Sequence, residues 1–87
     1  MENDKYKILL VDDDATLCAL LSEFLQEDGF AVETLNSGDT AVARLLETDE
    51  FDTVVLDIMM PGMSGLDVLR TVRAKQQVPI LMLTGRG

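Results

Sequence analysis

Apolar positions along this chain recur with two different periods, and the switches between them predict its elements. Lys7 to Val11, KILLV, is a short unbroken apolar run, the pattern of a strand covered on both faces. After it, Leu17, Leu20, Leu21, Phe24 and Leu25 fall three or four residues apart, predicting a helix capped by Asp14 and ended by Gly29. Phe30 to Leu35 alternates and is more polar, which suits an edge strand. Asn36, Ser37 and Gly38 form a turn, and Thr40 to Glu47 predicts a short helix that buries Val42, Leu45 and Leu46.

The same alternation continues. Thr53 to Leu56 is a third strand, apolar on both faces. Ser64 and Asp67 supply a capping box for a helix expected to bury Leu66, Leu69 and Val72 and to turn Arg70, Arg73 and Lys75 outward. Val78 to Leu83 is a fourth strand, with Pro79 near its beginning. The order β-α-β-α-β-α-β, joined by right-handed crossovers, gives a layered α/β domain on a parallel sheet.

Composition narrows the classes. The chain has 87 residues, enough for one domain with a real core. Sixteen acidic residues against seven basic ones leave a net charge of −9, which argues against direct nucleic-acid binding by this segment. No apolar run approaches the roughly 20 residues of a membrane span, and Met1 to Lys7 lacks the apolar core of a signal peptide, so a cytoplasmic location is expected. The single cysteine, Cys18, suits a reducing compartment and reads as a small helix residue near the core.

In an open parallel sheet, ligands bind beyond the carboxyl ends of the strands. There the chain puts Asp12, Asp13 and Asp14 after its first strand, Asp57 after its third and Thr84 after its fourth. If the first and third strands are neighbours, the carboxylates converge, and two of them about 4 Å apart repel by roughly 1 to 4 kcal/mol. A shared proton with a raised pKa would relieve this, as would a hard divalent cation, and Mg²⁺ suits an all-oxygen set best. Asp14 reads most simply as the helix cap, whereas capping leaves Asp57 unexplained.

Three stretches then carry a resemblance: ILLVDDD (Ile8 to Asp14), VVLDIMMPGMSG (Val54 to Gly65) and PILMLTGRG (Pro79 to Gly87). In this order and at these intervals they resemble the receiver domain of two-component response regulators, most closely those with a winged-helix DNA-binding output domain. The resemblance implies a flavodoxin-like sheet ordered 2-1-3-4. It also implies that Asp57 is the phosphoacceptor for a sensor histidine kinase. Asp12, Asp13, Asp57 and the backbone carbonyl of Met59 would hold Mg²⁺, with Asp13 a direct ligand and Asp12 acting through water. Thr84 would contact the phosphoryl group, and Gly85 would leave the site accessible. Met59 occupies a position that influences how water reaches the aspartyl phosphate, and with no hydrogen-bonding group it predicts slow self-dephosphorylation.

The resemblance places a further helix, strand and helix after Gly87, including a lysine and an aromatic switch residue, so 1–87 reads as a single, incomplete receiver domain. VPILML is apolar on both faces yet would stand at an edge, and one sheet face would lack a helix, exposing Leu and Val of the first strands. A homo-oligomer through the fourth strand or the uncovered face is therefore expected. The alternative reading is a self-associating interaction module that does not switch. A phosphatase working through an aspartyl phosphate would need a general acid two residues beyond Asp57; Met59 stands there, so no enzyme is expected.

Overall fold

The computed structural model describes residues 5–83. Its elements are β1 (Lys7–Val11), α1 (Ala15–Glu27), β2 (Ala31–Leu35), α2 (Gly38–Glu47), β3 (Thr53–Asp57), α3 (Gly65–Arg73) and β4 (Ile80–Leu83). All strand pairs are parallel and the order is β2-β1-β3-β4, as the resemblance implies. β2 is an edge strand, as its alternating sequence predicts.

Local chemistry sets the helix ends. Asp14 Oδ1 accepts the N–H of Leu17 at 3.0 Å and starts α1. At its other end Phe30 N–H reaches the Leu25 carbonyl and Gly29 N–H the Gln26 carbonyl. That closure needs a left-handed residue, and Gly29 supplies it with φ 96°. Ser64 and Asp67 form the predicted capping box, each side chain accepting the other's backbone N–H.

The main core lies between the sheet and the pair α2 and α3. Leu9 and Val11 of β1 and Val54 and Leu56 of β3 meet Ala41 and Leu45 of α2 and Val68 and Val72 of α3. Leu9, Val54, Leu56, Val68 and Val72 have no accessible surface, and full burial of such a side chain stabilises by about 1.5–3 kcal/mol.

Both of these helices are rotated by about one residue from the face their large apolar residues predict. Leu46 and Leu66 are exposed at 44% and 45%, while Gly38, Ala41 and Leu45, and Gly65, Val68 and Val72, face inward. Backbone approach explains the rotation. A Cβ on Gly65 would sit 2.3 Å from the Asp57 carbonyl oxygen, and one on Gly38 would sit 2.7 Å from that of Met63. Small residues face the sheet so that the helix starts can touch the loop after β3. Arg73, expected outside, is half-buried because its guanidinium donates to the carbonyls of Val78 at 2.8 Å and Gln76 at 3.2 Å.

On the opposite sheet face α1 lies over β1 and β2. Ile8 and Leu10 are buried beneath it, contrary to the expectation that first-strand residues would be bare. The uncovered apolar surface lies further across the sheet. Leu10, Val55 and Leu81 stand in one row, and at its far end Leu81 is 57% exposed. Among the described residues, no helix is long and apolar enough to cross a membrane.

Candidate functional site

The register that pairs Val11 with Leu56 carries the next residues, Asp12 and Asp57, past the same end of neighbouring strands. Asp57 is 5% exposed and is the one buried charged side chain among the described residues. Asp12, Asp13 and Asp57 each place a carboxylate oxygen so that the three lie within 4.8 Å of one another. They line a pocket of about 330 Å³ whose wall is completed by Asp14, Leu17, Met59 and Leu83. A larger hollow of about 500 Å³ beside α1 has Glu23 as its one ionisable lining residue among those described, so chemistry selects the smaller pocket.

Hydrogen bonds fix three of these acids. Asp14 spends its carboxylate on capping α1, in agreement with the simpler reading of that residue. Asp12 Oδ1 accepts the Asp14 N–H at 2.9 Å, and Asp57 Oδ1 accepts the Met59 N–H at 3.2 Å. Burial pushes the Asp12 carboxyl above its ordinary value, and the charges of Asp57, Asp13 and Asp14 push the same way against the Asp14 N–H bond.

The donor set fits a hard cation. Mg²⁺ takes oxygen ligands at 2.0–2.1 Å in an octahedron, so ligands across it stand about 4.2 Å apart. Any three octahedral ligands include at least two adjacent pairs, about 2.9 Å apart, so three oxygens within 4.8 Å of one another would hold the ion by drawing closer, or with one of them acting through a bound water. Two waters or more would complete the shell, which Mg²⁺ tolerates.

The structure brings together Asp12, Asp13, Asp57 and Met59. Thr84 and Gly85 lie outside the described residues. Leu17 and Leu83 line the pocket with no chemical signature of their own in the sequence. Leu83 is the register partner of Asp57, and Leu17 is the residue whose N–H meets the Asp14 cap, so strand pairing and capping were the signals for both.

An acidic pocket at the carboxyl edge of a parallel sheet ordered 2-1-3-4 defines an α/β domain built around a cation-competent carboxylate cluster. Residues 8–87 match the response regulator receiver domain, and the chain belongs to that family. It is 41% identical over 86 residues to the transcriptional regulatory protein ResD of Bacillus subtilis (strain 168), covering 99% of this chain and 35% of ResD. The chain spans about a third of the length of the curated relatives it matches. Among solved structures it is similar to the response regulator protein TrrA of Thermotoga maritima in complex with Mg²⁺-BeF. The TM-score is 0.84 at 39% identity, covering 93% of this chain and 70% of that one. TrrA in complex with the histidine kinase ThkA gives 0.83 at 39% identity and the same coverage.

Proposed function

We propose that this receiver domain accepts a phosphoryl group on Asp57 from a phosphohistidine of a sensor histidine kinase. The observation that carries the proposal is the convergence of Asp57, buried at the end of β3, with the carboxylates of Asp12 and Asp13. A lone buried aspartate would cost stability; one inside a cation-competent pocket has a use. TrrA's complexes with Mg²⁺-BeF and with a histidine kinase support the same reading.

Asp12, Asp13 and Asp57 would hold Mg²⁺, with the Met59 carbonyl as a further ligand. When bound, the ion offsets the negative charge of the pocket and of the incoming phosphate. The chain's own groups do the rest. The Met59 N–H, bonded to Asp57 Oδ1, helps orient the carboxylate and leaves Oδ2 free of that bond to act as the nucleophile. Oδ2 attacks phosphorus, the bond from phosphorus to the histidine nitrogen breaks, and that nitrogen keeps the electron pair. Thr84 would donate its hydroxyl to the transferred group. A part in regulating transcription, as ResD is named for, belongs to the same proposal.

Incubation with Mg²⁺ and acetyl phosphate, followed by intact mass measurement, tests it. A gain of one phosphoryl group is expected, absent in Asp57→Asn and absent in the presence of a chelator. A gain that persists in Asp57→Asn would overturn the assignment of Asp57.

A further inference from the structure

The turn between β2 and α2 lies beside the acidic pocket and has no role in the chemistry above. Its first residue, Asn36, directs Nδ2 at the backbone carbonyl of Asp12, 2.8 Å away. β1 and β2 run in parallel register up to Val11 and Leu35, and the Asp12 N–H still reaches the Leu35 carbonyl at 3.1 Å. One step later β2 turns away into α2. The Asn36 amide then supplies to the Asp12 carbonyl the donor that a longer strand would have offered from its backbone. The same nitrogen lies 3.6 Å from Cys18 Sγ, which itself approaches the Asp12 carbonyl at 3.5 Å.

Asp12 is thereby held at three points, with the Leu35 carbonyl on its N–H, Asn36 on its carbonyl and the Asp14 N–H on its carboxylate. The turn is itself anchored on the other half of the site. Gly38 packs so closely on the loop after Asp57 that a Cβ would stand 2.7 Å from the Met63 carbonyl oxygen and 3.0 Å from Val68. A segment three residues long therefore touches both Asp12 and the phosphoacceptor loop.

We infer that Asn36 is a positioning residue for the cation pocket: its amide fixes the peptide from which Asp12 and Asp13 project. The inference rests on the proposed Mg²⁺ site and concerns only how that site is held. Outer-shell partners of ligating groups typically change metal affinity by 10–100-fold. Asn36 acts on a backbone carbonyl instead of on a ligating oxygen, so the low end, about tenfold, is expected.

Isothermal titration with Mg²⁺ of the unsubstituted protein, Asn36→Ala and Asn36→Leu is the test, with metal-free melting midpoints measured alongside. Leu keeps the bulk beside Cys18 and removes the donor. Both variants should bind Mg²⁺ about tenfold more weakly, while Asn36→Ser, which retains a short donor, should recover part of the loss. Affinities within twofold of the unsubstituted protein would overturn the inference and leave the Mg²⁺ site standing, whether or not the melting midpoints fall. No Mg²⁺ binding by the unsubstituted protein would overturn both.

Discussion

At the scale of single residues, the pocket trades stability for readiness to bind a cation. Asp12 faces Asp13, Asp14 and Asp57, and among the described residues no basic side chain lines the pocket. Its carboxyl binds a proton more tightly in the folded protein than in the unfolded chain. The sign follows: below the ordinary value of 3.8 this group favours folding, and that contribution is lost as pH rises through its higher folded value. Cation binding runs the other way, because it needs the carboxylate. Mg²⁺ affinity should therefore begin to fall at a higher pH than an ordinary aspartate would require. Replacing Asp12 with Asn removes one repelling charge, worth about 1 kcal/mol at the solvent-screened end of the range. In a domain of this size that raises the metal-free melting midpoint by about 4 to 8 °C. Calorimetry with and without Mg²⁺ checks both halves: the variant should melt higher without the ion and lose the stabilisation that the ion gives. A lower metal-free midpoint would show that Asp12 is held for structure and not for the cation.

At the scale of elements, the sequence made the alternation, the caps and the acidic edge legible because each rests on a local rule: period, capping chemistry or the end of an apolar run. The inward faces of α2 and α3 were legible only in part: Leu45 and Val72 are buried as expected, but a hydrophobic period picks out large residues and these faces begin with glycines. Leu66 looks like core and is exposed; Val68, passed over, has no accessible surface. Asn36 was legible only as a turn residue, because its bond to Asp12 depends on the pairing of β1 with β2, 24 positions apart in the chain. Gly65 couples these two kinds of information. Gly65 N–H donates to the Ile58 carbonyl at 3.0 Å, and its missing side chain lets α3 start against the Asp57 carbonyl. Gly65→Ala would push that carbonyl away and overpack the junction, at a cost of about 1–3 kcal/mol. Urea unfolding should show the loss with an unchanged slope, and phosphorylation by acetyl phosphate should slow because Asp57 shifts with its own carbonyl. A fully active, equally stable variant would mean that α3 can start one residue later without consequence.

Across the whole molecule, stability is distributed unequally between the two faces of the sheet. The face under α2 and α3 holds the continuous core, whereas on the other side Leu20, Phe24 and Leu81 are exposed at 60%, 66% and 57%. Leu56→Ala removes a side chain with no accessible surface and should cost about 2–5 kcal/mol, a large part of what a domain of this size has. Phe24→Glu, on the exposed side of α1, should change stability by less than about 0.5 kcal/mol, since a mostly solvated ring leaves little burial to lose. The comparison also bears on the expectation of self-association. Measured at several protein concentrations, a small and constant effect of Phe24→Glu means that this face stays solvated. A cost that grows with concentration means a second copy covers it, because only an intermolecular contact would make the loss depend on mass action. A large cost that does not vary with concentration would mean that Phe24 is packed within a single chain, in an arrangement different from the one in which α1 leaves it exposed.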